Sequence, residues 1–244
     1  MIENVLYLSP LWILGLGALV LCLCHVRETA SGDSFRLAKI FAGLGFGAAV
    51  IFYNRSAYPE LLQANSFTLL FLVLMFTAMC AALFLSRKWY SSLNVSGSLF
   101  CSGLLLAGFA GTILVMSQNL ALTAVSIFIL LTANYLLFIH ADKRKEIYVS
   151  SRLYAASALF AGVVLAASAM YLYVQNGGLS YKALELYFEN NTENTLAFAA
   201  ATALILVFAF MLGLAPLHFW YTETTGQIVL PVFTYLTLVP TGVC

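Results

Sequence analysis

Moving a proton through a membrane takes a group that titrates near neutral pH. In this 244-residue chain one stretch sets such a group beside a helix breaker: Met211-Leu-Gly-Leu-Ala-Pro216-Leu-His218-Phe-Trp220-Tyr-Thr-Glu223, followed by Gly226 and Pro231. Pro216 has no amide hydrogen and its ring clashes with the preceding turn, so a helix running into it is expected to break or kink there. Irregular backbone at membrane depth survives only where protein buries it or where it lines a water-filled cavity. An imidazole two residues past the break could then relay protons, because its pKa lies near neutrality. The residues fit a second reading equally well, in which His218 and Trp220 anchor a helix end at the membrane interface.

The other chemistry-bearing patterns are weaker. Cys22-Leu-Cys24-His25 outlines part of a metal site, but tetrahedral zinc needs further ligands that the sequence does not supply, so no metal is expected. Of the five cysteines, Cys22, Cys24, Cys80 and Cys101 lie in or at the edge of apolar runs and read as small hydrophobes; Cys244 is terminal. Gly43, Gly45 and Gly47 have the glycine density of a nucleotide loop, but no strand precedes them and they sit in an apolar run, which favours close helix packing. Gly103, Gly108 and Gly111 read the same way. Ionisable residues inside a membrane are costly and so mark function by default. Here no Asp, Glu, Lys or Arg falls in the interior of a complete span; Lys39, one residue inside the second, can snorkel.

The elements that must position these residues follow from composition. The chain is 62% hydrophobic and 9% charged, whereas a soluble domain carries roughly 25% charged residues. Too few polar residues remain to cover a soluble surface, so lipid must be the solvent. Apolar windows near the roughly 20 residues that a bilayer requires run over 5–25, 38–53, 67–86, 98–117, 120–140, 153–174 and 195–214, with a further apolar stretch over 228–243. Nothing alternates with a strand's period, so the expected fold is all-α. It is a single polytopic membrane helix bundle over 1–244, with seven complete spans, a partial eighth and a broken seventh helix. Only Gln118 and Asn119 separate the fourth and fifth spans, which predicts a tight hairpin. Nine basic residues (Arg27, Arg36, Lys39, Arg87, Lys88, Lys143, Arg144, Lys145, Arg152) fall on one side and two (Arg55, Lys182) on the other. That bias places the first side in the cytoplasm or matrix and the amino terminus outside. The net charge of +1 forms no basic patch, and no nucleic-acid partner is expected.

The stretch Gly213-Leu-Ala-Pro216-Leu-His218-Phe-Trp220, followed by an acidic residue, a Gly and a Pro, resembles the broken-helix signature of the antiporter-like subunits of respiratory complex I, the NADH:quinone oxidoreductase, and within them subunit 2. Leu-Thr-Ala-Asn-Tyr135-Leu-Leu, a basic loop, and Ser151-Arg-Leu-Tyr154 resemble that family's fifth and sixth helices; Tyr171 to Tyr181 resembles the loop after the sixth. The order and spacing agree over the whole chain, corresponding to the family's first eight helices.

The resemblance implies a glutamate in the fifth helix and lysines in the seventh and eighth, forming a charged axis along the midplane. Ungapped alignment from Tyr135 puts the glutamate position on Phe128, counting back from Pro216 puts the first lysine on Met211, and the second falls near Thr241. Phe and Met neither accept nor donate protons, so this half is not expected to be a working proton channel. The resemblance thus implies a split or degenerate membrane-arm subunit with a mainly structural role and at most a relay at His218. The expected partners are lipids, other membrane-arm subunits and a second chain supplying later helices. FMN, iron–sulfur clusters and quinone belong to other subunits of such a complex, and no cofactor is expected in this chain. The mitochondrial inner membrane is the expected location, with the bacterial cytoplasmic membrane as the alternative. Competing functions are a subunit of a stand-alone cation/proton antiporter and a non-catalytic membrane scaffold.

Overall fold

The computed structural model describes residues 7–26, 31–52, 61–93, 97–141, 145–191 and 193–220. Among them run eight helices: α1 (Ser9–Val26), α2 (Ser31–Phe52), α3 (Ser66–Leu93), α4 (Ser98–Met116), α5 (Leu120–Ala141), α6 (Lys145–Asn176), α7 (Tyr181–Asn190) and α8 (Thr195–Met211). The described residues form no strand beyond two isolated bridges, and the all-α expectation holds. Five helices, α2 to α6, are long and apolar enough to cross a membrane; α1 and α8 are shorter apolar helices. All seven coincide with the apolar windows of the sequence. The eighth stretch, 228–243, lies outside the described residues.

α7 has no counterpart among the expected elements. Its 10 residues bury only Leu184. Lys182, Glu185 and Glu189 are exposed, and the Ser180 side chain caps its start by accepting from the Ala183 amide. An apolar-window search passes over so short and charged a segment.

α4 is the axis of the bundle. It packs against α1, α2, α3 and α5, and 72% of its apolar window is buried against 28% for α2. Lipid is as apolar as a leucine side chain, so helices associate in a membrane through close packing of small residues. On α4 those residues are Gly103, Ala107, Gly108, Ala110 and Gly111, all buried. A Cβ on Gly108 would meet the Met79 sulfur at 2.9 Å, which shows how near α3 approaches. The sequence reading of these glycines as packing surfaces applies to α4. On α2 it holds for Gly45, which faces Leu14 and Phe76, whereas a Cβ on Gly43 or Gly47 would meet nothing within 4 Å.

Backbone pairing ties three connections together at one end of the bundle. The Gln63 amide donates to the Met116 carbonyl at 2.8 Å and the Gln118 amide to the Leu61 carbonyl at 2.9 Å. On the far side of the hairpin, Leu120 donates to Leu179 at 2.8 Å and Tyr181 to Gln118 at 3.1 Å. The expected α4–α5 hairpin is present as Ser117-Gln118-Asn119, with the Asn119 side chain capping α5 by accepting from the Ala121 amide at 2.9 Å. At the opposite end Lys39 of α2 stacks its ammonium 3.6 Å from the Phe84 ring centroid of α3. A cation over a ring face keeps a favourable partner while its stem runs along apolar surface.

Candidate functional site

α8 is uniformly apolar from Thr195, with Asn194 capping its start through the Ala197 amide at 3.2 Å. It ends at Met211, before Pro216. Gly213 takes the left-handed conformation (φ 64°), its amide donates to the Phe210 carbonyl at 3.0 Å, and the Leu214 amide reaches back to Ala209 at 3.0 Å. This paired 5→2 and 6→1 pattern with glycine just past the last turn is the Schellman termination. Glycine ends the helix, and Pro216 follows where it has already stopped and could not have continued it. Pro216 sits in a turn closed by the Leu217 amide on the Leu214 carbonyl at 2.7 Å, and its peptide bond to Ala215 is cis.

Past this turn the chain folds back under α8. Trp220 is 3% exposed, and its indole Nε1 donates to the Phe210 carbonyl at 2.8 Å. Trp220 is therefore an internal cap on the interrupted helix and not an interfacial anchor. Its ring meets Tyr154 edge-on at 5.3 Å and Phe210 at 5.6 Å, while Tyr154 packs on Phe138 at 4.7 Å. The aromatic contacts join α5, α6, α8 and the returning segment.

Met211 is buried beneath this cap, in a small cavity whose walls are Leu131, Asn134, Tyr154, Phe210 and Trp220, with no room for a water molecule. Two polar atoms point into these surroundings without a partner, Asn134 Oδ1 and the Tyr154 hydroxyl. Among the lining side chains the Tyr154 phenol is the one titratable group, and none is a carboxylate, an imidazole or a cation.

The other residues singled out in the sequence lie apart from this point. His218 is exposed, and among the described residues its imidazole makes no hydrogen bond. Pro216 lies on the rim of a different space, an apolar groove of about 600 Å³ between α6 and α8 that includes Phe160, Val164, Leu206 and Phe219. Phe128 faces a cleft of about 300 Å³ between α5 and α6 with Thr132 and Tyr135. Its ring leaves no space for a side chain at position 162, since a Cβ on Gly162 would lie 2.6 Å from it. Leu131 lines both the Phe128 cleft and the Met211 cavity, so one side chain separates the two. Thr241 lies outside the described residues, as do Thr222, Glu223, Gly226 and Pro231. At the end of α1, His25 Nδ1 lies 3.1 Å from the Ser98 hydroxyl. Among the described residues no group of His, Cys, Asp or Glu could hold a metal ion.

Sequence reasoning quoted Asn134 and Tyr154 without giving them a role. A signal was available: Asn134 is an amide in the middle of an otherwise apolar run, where a polar group must find a partner.

A second polar cluster sits at the sealed end. Thr123 Oγ1 bonds the Ser117 hydroxyl at 3.0 Å and also the Tyr181 hydroxyl, and Ser117 accepts from the Asn119 amide at 3.3 Å. Burial pushes the Tyr181 phenol above its ordinary pKa, and the Thr123 hydroxyl draws it partly back.

Comparison with known proteins places this geometry. A sequence profile of the family described as NADH:quinone oxidoreductase/Mrp antiporter, TM, matches residues 117–243, from the α4–α5 hairpin through the helix break. Among solved structures, a chain of respiratory complex I from Thermus thermophilus with bound aureothin superposes with a TM-score of 0.80 at 18% identity, over 96% of this chain and 51% of that one. The present chain thus spans about half the length of the solved chain whose fold it shares.

Proposed function

We propose, for a chain that belongs to the NADH:quinone oxidoreductase/Mrp antiporter family of transmembrane subunits, that it serves as a membrane-arm subunit of complex I whose role is structural. The observation that carries the non-pumping part is the site under the helix break, where Met211 fills a cavity too small for water and no carboxylate, imidazole or amine lines it. A proton path needs a chain of titratable groups or ordered waters. With Phe at 128 and Met at 211, neither is supplied at the two described positions where the family's charged residues would fall.

The fold shared with a complex I chain supports the assembly, and correspondence to subunit 2 is the finer form of the reading. Flavin, iron–sulfur and quinone chemistry would then lie in companion subunits, and the later helices of the antiporter fold would meet this half in the assembled complex, on a second polypeptide in the split-subunit form. The nine-to-two distribution of basic residues supports an amino terminus on the outer side of the mitochondrial inner membrane. His218 keeps the one imidazole near the break, outside the dry cavity, so His218→Ala is expected to leave both assembly and proton-coupled turnover unchanged. A fall in coupling with normal assembly would instead assign His218 the relay role.

Companionship tests the main reading. Gentle solubilisation followed by mass spectrometry of whatever co-migrates with this chain is expected to return flavin- and iron–sulfur-binding subunits of complex I. Recovery with the subunits of a cation/proton antiporter, or alone, would overturn it.

A further inference from the structure

We infer that Asn134 and Tyr154 form an interhelical hydrogen bond that positions Trp220 as the cap of the interrupted helix. The packing around the break supports this bond whether or not the chain serves complex I. Asn134 of α5 is 2% exposed and Tyr154 of α6 is 1% exposed, and both line the cavity that also holds Met211 and Trp220. The Asn134 side chain lies against the Tyr154 hydroxyl. An acceptor, Asn134 Oδ1, and a donor, the Tyr154 hydroxyl, are both buried there and both lack a partner. A buried polar group without a partner in an apolar setting is costly, and the cavity has no room for a water to bridge the two. The oxygen and nitrogen of an amide have nearly the same shape, so the hydrogen-bond network decides which end faces which neighbour. Turning the Asn134 amide so that Oδ1 accepts from Tyr154 satisfies both atoms with a single bond.

The bond fixes a ring that in turn fixes another. Tyr154 meets Trp220 edge-on at 5.3 Å, and Trp220 donates to the Phe210 carbonyl at 2.8 Å. Asn134 and Tyr154 are therefore positioning residues. They set the angle at which the indole reaches the last turn of α8, and through it the path of the chain after the break.

The test uses the full chain in lipid vesicles with Trp12 and Trp89 changed to Phe, so that Trp220 is the sole indole of the three. Asn134→Leu and Tyr154→Phe each strand one buried polar atom, and each is expected to shift the unfolding equilibrium about tenfold. The double variant strands neither, so its loss is expected to be no larger than that of one single variant. Acrylamide quenching of Trp220 is expected to rise in both single variants and in the double, because all three lack the bond. Additive losses in the double would overturn the inference. So would native quenching in Tyr154→Phe, a variant conservative enough to fold should Asn134→Leu fail.

Discussion

Two polar clusters interrupt this apolar bundle, and they are built differently. At the α4–α5 hairpin, Ser117, Asn119, Thr123 and Tyr181 share hydrogen bonds among themselves and with backbone, while three connections pair around them. At the break after α8, one indole caps one carbonyl, and an amide oxygen and a phenol stand in apolar surroundings without a hydrogen-bond partner. The first cluster has used its hydrogen-bonding capacity and fixes how the helices enter the membrane. The second holds capacity for one more bond but no charge. In a family named for antiport, the interrupted helix is where chemistry would be sought, and here it is packed by Met211 and aromatic rings. Glycine termination and aromatic packing thus hold the break with no ionic group among the residues lining it.

Substitutions can break or sharpen that contrast. The largest expected effect is from Met211→Lys, which puts an ammonium into the dry cavity at a cost of roughly 2.5 kcal/mol or more. Immunoblotting of native gels should show much less assembled chain, whereas normal assembly would mean that the cavity takes up water. Thr123→Val probes the other cluster. It deprives the Ser117 and Tyr181 hydroxyls of a shared partner, and a loss of about 1–3 kcal/mol in thermal unfolding is expected. Trp220→Phe replaces the buried indole with a smaller ring and removes one donor from the Phe210 carbonyl, which still accepts from Gly213. The lost bond and the vacated volume together should cost about 2 kcal/mol, and amide exchange at the last turn of α8 should increase. Tyr181→Phe should cost least, about 0.5–1.5 kcal/mol, because Tyr181 is partly solvated and Thr123 keeps its bond to Ser117. If it cost more than Trp220→Phe, the ranking of the two clusters would be reversed.

Much of the architecture was legible in residues, and the reason is physical. Lipid demands long apolar helices with satisfied backbones, so runs such as 98–117 and 120–140 leave few alternatives. The hairpin followed from the mere two residues between them. What stayed hidden depends on pairing in space. Pro216 drew attention because its chemistry is local, yet Gly213, whose left-handed backbone ends α8, looks in sequence like any glycine near an apolar run. Trp220 read equally well as an interfacial anchor, and only the fold-back under α8 turns its indole toward the Phe210 carbonyl. Phe128 and Met211 were found by alignment. That one faces a cleft and the other is sealed under a tryptophan follows from helix rotation, which no spacing rule fixes. Asn134 and Tyr154 lie 20 positions apart and acquire meaning only when α5 and α6 pack.

Met211 and the aromatic cap above it imply a dry membrane depth beneath the broken helix. It is tested most directly by placing a single cysteine there, Met211→Cys, in native membranes, and following its modification by a water-soluble thiol reagent with peptide mass spectrometry. Cys at this position is expected to stay unmodified until the protein is denatured, because the packed rings of Tyr154, Phe210 and Trp220 close the site to water and reagent. Rapid labelling from the aqueous side in intact membranes would show a hydrated path at Met211 and overturn the dry reading.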